Sequence, residues 1–350
     1  MLDVSRPTPS PDSNAVFQAV HQHFHEVVVP LWLGPGWNPQ LALPFEALDG
    51  EHRPLPAQRY RAMACARQLY VFSQLIGDAS APYAEARAAA LFRSLQRHFH
   101  DAEHGGWFYS IDPAGAPLDR RKDLYTHAFI VFACAHYWAK VREPLVESAL
   151  NAALEVVARR FAQGDGLYEA CLDENWALLG TGPLQNPSMH LAEAFLATLA
   201  ARDDASVQAA LLELCQAMQR HFIEPQHGVM MEKPLGAVDN WFEPGHQFEW
   251  YFLLASSPLL RDSALHASLE RALATQRIWA QAEYLRALTL RPDGQASLAR
   301  QLQVLQDNFL HAGGWHECLD ASGAVSRRDM PSTTPYHLAT CYHGLASYFG

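Results

Sequence analysis

The sequence predicts an all-α fold, an (α/α)6 barrel with short β-hairpins and loops over one mouth. Three observations carry that expectation. Proline and glycine cut the chain into paired, apolar-striped segments of helical length. A glycine-marked turn leads four times, through a short segment and a loop, to a helix that opens near a histidine. Two further helices fall on the same grid, and the six openings follow one another at intervals of 37 to 63 residues, about what a helix, a turn, a return helix and a loop occupy.

The elements follow in order. Residues 1–12 form a polar, proline-rich lead with little reason to order, expected to be flexible. A helical pattern runs from about Asn14 to Val29 and stops at Pro30, and the segment LWLGPGWNPQLALPF after it is too irregular for a helix. Gln58 to about Leu75 has apolar residues at helical spacing and ends at Gly77. Ala81 to about Phe99 follows, with Leu91, Phe92, Leu95 and Phe99 as its stripe. Helix pairs then repeat to the end. With no second composition regime and no Gly/Ser linker, residues 1–350 read as a single domain.

The repeat runs from Gly106 to His127, from Gly166 to His190, from Gly228 to His246 and from Gly314 to His337. The segments WFYSID, LYEACLD, VMMEK and WHECLD alternate like strands and predict small hairpins. The helices RQLYVFSQL and IWAQAEYLRAL add Arg67 and Glu283 to the series. An α-solenoid could use the same helix pairs. It gives no reason for an imidazole or charged group at one phase of every unit, whereas a closed ring brings all six to one mouth.

Composition excludes several classes. Lys and Arg number 26 against 37 Asp and Glu, a net charge of −11, which works against a phosphate-backbone footprint. The start, MLDVSRPTPSPDSNAV, lacks the pattern of a secretory signal. No stretch approaches the roughly 18–20 apolar residues of a membrane span. Six scattered cysteines without a CxxC read as reduced packing residues, so a cytoplasmic protein without nucleic-acid or membrane partners is expected. No GxGxxG stands between a strand and a helix, no P-loop is present, and HExxH is missing. His21, His23 and His25 lie in the first helix as packing or surface residues rather than metal ligands. The reading expects neither cofactor nor metal.

What stands out is 18 histidines with 9 tryptophans, 12 tyrosines and 17 phenylalanines. Any one helical histidine is more often structural than catalytic; recurrence at one phase of the repeat shifts that balance. In EPGHQFEW, Pro244 suits a helix start, Gly245 leaves room for a ligand, and Glu249 shares a face with His246 and is expected to orient it. Asn186 and His190, four apart, pair an amide with an imidazole for binding hydroxyls. His337, in TPYH, supplies a second imidazole. Two such groups suit proton shuttling at a carbon beside a carbonyl. Arg67 would stabilise charge on an enediolate oxygen. His127 and Glu283 are expected in the substrate site, and Trp107, Trp241 and Trp315 as its walls, stacking on a sugar. Glycoside hydrolysis, through carboxylates such as Glu249, Glu283, Asp173 or Glu317, and a non-catalytic sugar-binding role are the rival readings.

The segments ARQLYVFS, RKDLYTHAFIVFA, NPSMHLAEAFLA, EPGHQFEW, IWAQAE and PSTTPYH together resemble the N-acylglucosamine 2-epimerase superfamily, over about residues 15–350. The resemblance implies an (α/α)6 barrel and an epimerase or aldose–ketose isomerase, with His246 and His337 as the acid/base pair. It also implies Arg67 and Glu249 as catalytic residues, and Asn186 and His190 in substrate binding and ring opening. PSTTPYH resembles the mannose isomerase branch. The expectation is interconversion of D-mannose and D-fructose through a cis-enediolate. A sugar 2-epimerase, of the N-acylglucosamine or the cellobiose and glucose type, is the alternative. Which histidine is base and which acid, the sugar range and the oligomeric state stay open.

Overall fold

The computed structural model describes residues 11–225, 228–269, 278–291, 294–319, 323–327 and 329–349. Most of the proline-rich lead, residues 1–10, lies outside them; residues 11 and 12 already belong to the first helix.

Helices alternate between an outer and an inner ring. The outer helices are α1 (Pro11–His23), α3 (Ala84–Ser94), α5 (Pro144–Val156), α7 (Ala205–Phe222), α9 (Ala264–Leu269) and α11 (Gln295–Val304). The inner helices are α2 (Ala62–Gln74), α4 (Leu124–Val141), α6 (Gln185–Ala201), α8 (Pro244–Ser256), α10 (Ile278–Leu288) and α12 (Thr334–Phe349). The inner helices touch in the order α2, α4, α6, α8, α10, α12, and α12 packs back on α2. The ring is closed, which is the (α/α)6 barrel and not the solenoid.

The glycine-to-histidine repeat has a physical anatomy. Outer helices α3, α5 and α11 each widen into one π-wound turn ending on a buried phenylalanine, Phe99, Phe161 and Phe309, while α7 ends directly on Phe222. Burying each ring contributes about 1.5–3 kcal/mol. The chain then turns at Gly106, Gly166, Gly228 or Gly314, all with positive φ, a conformation that Cβ-bearing residues resist. It returns so that the N–H of Phe108, Glu169, Met231 or His316 donates to the carbonyl of that phenylalanine.

Short antiparallel strands cover the amino-terminal mouth of the inner ring. They include Tyr60–Arg61 with Ser110–Ile111 and Pro117–Asp119, Lys122–Asp123 with Cys171–Leu172, and Ile223–Glu224 with Val229–Met230. Side chains bolt this layer to the helices. The Gln247 amide of α8 exchanges two hydrogen bonds of 2.8 Å with the Met230 backbone. Glu317 takes a bond of 2.8 Å from Thr334 of α12, and its carbonyl accepts from the Ile278 N–H of α10. His21 of α1 and His25, in the π-wound turn that continues it, pack together and on Tyr342, as expected of packing residues. No helix among the described residues is long and apolar enough to cross a membrane.

Candidate active site

The first two turns of the inner helices place Arg67, His190, His246, Glu249, Glu283 and His337 toward the covered mouth. His337 Nδ1 donates to Glu283 Oε1 at 2.8 Å, and His246 Nδ1 donates to Glu232 Oε1 at 2.7 Å. A carboxylate at Nδ1 fixes the tautomer and leaves the Nε2 lone pair for a reacting proton. The half-buried Trp279 ring stands between them, its centroid 5.5 Å from each imidazole. Gly245 has an unforeseen purpose here: a Cβ on it would collide with the Trp279 ring, so the glycine admits the indole rather than a ligand.

Arg67 is buried, donates to the Tyr125 hydroxyl at 2.5 Å, and lies over the Phe129 and Tyr336 rings. His190 rests against Tyr125 and Phe129 and donates from Nδ1 to Glu193 at 3.2 Å. Burial drives its pKa to about 4 despite Glu193, so it is neutral near pH 7. Glu193 also accepts the Tyr336 hydroxyl and faces Arg286 at 3.9 Å. Arg286 donates to Glu283 at 2.5 Å. Burial opposes ionisation of Glu283, but Arg286 and His337 outweigh it and hold the carboxyl below its usual range. Burial lowers the His337 pKa, with Glu283 pulling the other way. Asn186 sits one turn before His190, with a buried Oδ1 that finds no partner among the described residues.

Several expectations need correction. Glu249 does not orient His246; Glu232, from the loop after the hairpin, does so. The Glu249 carboxyl is 1% exposed, has no hydrogen-bond partner on either oxygen among the described residues, and lies 3.8 Å from His190. Burial, with Glu283 and Glu193 adding negative charge, pushes its pKa well above the usual carboxyl range. His127 is not free for substrate. Its Nδ1 donates to the Asp123 carbonyl at 2.7 Å and its Nε2 accepts the Trp107 N–H at 3.1 Å. Trp107 is buried against it and against His100, and Trp315 is buried with its indole N–H on Glu317, so neither walls the site. Glu283 gives one oxygen to His337 and the other to Arg286 rather than presenting a free carboxylate to the site. Trp241 is exposed on the loop that carries Glu232, its carbonyl accepting the Glu232 N–H at 2.8 Å.

Sequence reasoning missed Glu232, Trp279, Glu193 and Arg286. Glu193 and Arg286 were readable as third residues after His190 and Glu283, and Trp279 as one turn before Glu283. Nothing local marks Glu232. Two donor sets, His190–Glu193–Glu249 and Glu249–Glu283–His337, have atoms within 4.8 Å of one another and could in principle hold a cation. Glu193 and Glu283 already answer Tyr336, Arg286 and the imidazoles, and Arg286 adds a fixed positive charge beside both sets. That arrangement fits a self-paired network better than a metal centre.

A closed double ring of helices with these groups gathered at one mouth defines the class of fold: an (α/α)6 barrel with a histidine- and carboxylate-lined candidate site. Residues 44–287 match the family model described as N-acylglucosamine 2-epimerase (GlcNAc 2-epimerase), and the chain belongs to that family. A D-mannose isomerase of Thermobifida fusca is 35% identical over 161 residues, covering 46% of this chain and 39% of that relative, well under half its length. Among solved structures, cellobiose 2-epimerase from Spirochaeta thermophila superposes with a TM-score of 0.86 at 19% identity, covering 97% of this chain and 98% of that one. A D-mannose isomerase superposes with a TM-score of 0.80 at 18% identity, over 97% and 100%. At such identities the structural likeness speaks for the fold.

Proposed function

We propose that the protein interconverts D-mannose and D-fructose, by proton transfer through a cis-enediolate. The observation that carries this is the matched pair of histidines, His246 on Glu232 and His337 on Glu283, facing one indole platform. One Nε2 takes the proton from C2 of the open-chain aldose. The C2–H electrons form the C1–C2 double bond, and the carbonyl electrons pass to O1. Returning a proton to C1, while the O2 proton is transferred to O1, completes the ketose. Proton transfer of this kind needs a neutral imidazole near physiological pH, and the lowered His337 pKa supports that role.

Arg67 supplies fixed positive charge for the enediolate oxygen. Asn186 and the neutral His190 serve the sugar hydroxyls and ring opening. Burial and the neighbouring Glu283 and Glu193 favour the neutral form of Glu249, which offers an O–H donor instead of a charge and keeps the floor from repelling the enediolate. Trp241, on the exposed rim beside Glu232, is placed to meet incoming sugar. The resemblance of PSTTPYH and the identity to a D-mannose isomerase support mannose over other sugars.

A 2-epimerase shares the first half of this path and is the second reading, favoured by the overlay on a cellobiose 2-epimerase. Proton NMR in D₂O, after treatment with a chelator, separates them. Mannose giving fructose with deuterium at C1 supports the isomerase. Epimer formation with deuterium at C2 assigns it to the epimerases. No exchange with mannose, glucose, N-acetylmannosamine or cellobiose sinks both.

A further inference from the structure

The carboxyl ends of the inner helices surround a cavity of about 390 Å³ at the mouth opposite the active site. Its innermost lining is Glu193 and Arg286, whose other atoms serve His190 and Glu283, so one layer of side chains separates it from the site described above. The geometry points to a second ligand site here, non-catalytic, for a small neutral polyol.

The donors come first. Arg286 is 4% exposed and gives its terminal nitrogens to Glu283 and Glu193, yet its Nε–H has no partner among the described residues. A buried donor of this kind is costly to leave unsatisfied. His136 accepts the Gln74 amide on Nδ1 at 3.1 Å, which leaves its Nε2–H as a second donor. The acceptors are hydroxyls: Ser256, Thr289 and Thr340 each donate to a backbone carbonyl three residues earlier and keep lone pairs to spare. Phe132 and Phe252 add apolar faces.

Charge decides the ligand class. The Arg286 charge is matched by Glu193 and Glu283, and the helix ends converging on this mouth carry partial negative charge, which disfavours an anion. A cation would meet the guanidinium. A molecule with several hydroxyls and no charge answers both donors and acceptors. The volume lies at the lower end of the roughly 300–1,000 Å³ that small-molecule sites occupy.

The test is a ligand-observed NMR titration of the full chain with glycerol and myo-inositol, neither of which has a carbonyl to isomerise, and with acetate and tetramethylammonium as charged controls. Saturable binding of a neutral polyol in about the millimolar range is expected. Ala200→Trp and, independently, Ser256→Trp plug the cavity from exposed rim positions; each should weaken that binding roughly tenfold or more while sugar turnover is kept. Absence of saturable polyol binding, binding of a charged control instead, or affinity unchanged in both folded variants would overturn the assignment.

Discussion

Trp279 lies equidistant from His246 and His337, its ring centroid 5.5 Å from each imidazole and tilted by 38° and 37°. A sugar lying on the indole would meet a base at either side without the two imidazoles touching. That spacing depends on Gly245, where a methyl group would strike the indole. Gly245→Ala should therefore move Trp279 and lower kcat by roughly tenfold or more, with a stability cost of about 1–3 kcal/mol for overpacking. Unchanged kcat in a folded variant would show that the platform does not position the histidines.

Replacing either His246 or His337 by Ala should reduce kcat by about 10²–10⁴-fold with the fold intact. Solvent deuterium incorporation into the sugar should fall with it. A variant that keeps more than roughly 1% of turnover would argue against a proton-transfer role for that residue.

Glu232 orients His246 through a bond of 2.7 Å, so Glu232→Gln keeps the shape and removes the charge. The amide offers no charge-assisted acceptor and can turn its NH2 toward the ring, so the imidazole loses its fixed tautomer and orientation. kcat should fall roughly tenfold or more while KM stays near the parent value. If the residue only packs, kcat will stay at the parent value in the folded variant.

The ring and the repeat were legible because four of the six units carry the same local marks, a turn glycine followed by a histidine in the first turns of the inner helix, and the Arg67 and Glu283 helices fall into step with them. Those marks report a position in the unit, not the direction of a side chain. His127 shares the phase of His190 but turns both ring nitrogens to backbone groups of its own corner. Glu249 shares a helical face with His246, yet a helix face three residues long is wide enough for the two to diverge. Glu232 approaches His246 from a loop fourteen residues earlier in the chain, held by the Gln185 N–H of α6 and by the Trp241 carbonyl, a tertiary arrangement with no spacing rule.

Because His127 ties the Trp107 backbone to the start of α4, His127→Leu should act on stability and not on substrate. Loss of an acceptor for a buried N–H predicts a cost of about 1–3 kcal/mol. Folded variant should keep the parent KM. A raised KM at unchanged melting temperature would return His127 to the substrate site.

Glu249 offers a test of the electrostatics of the floor. Its folded-state pKa is raised, first by burial and then by Glu283 and Glu193, whereas the unfolded chain ionises it in the ordinary carboxyl range. The native state therefore holds a proton that the unfolded state releases. Stability from this group is fully present below the unfolded pKa and is lost as pH climbs toward the folded one. The slope approaches about 1.4 kcal/mol per pH unit inside that window. Glu249→Gln has no proton to lose. Glu193 and Glu283, held ionised in both proteins, cancel from the comparison. The variant should match the parent in melting temperature below the ordinary carboxyl range and pull ahead steadily as pH rises above it. Parallel pH–stability curves would mean that Glu249 is ionised in the native state, and its carboxylate would then have to be stabilised within the site.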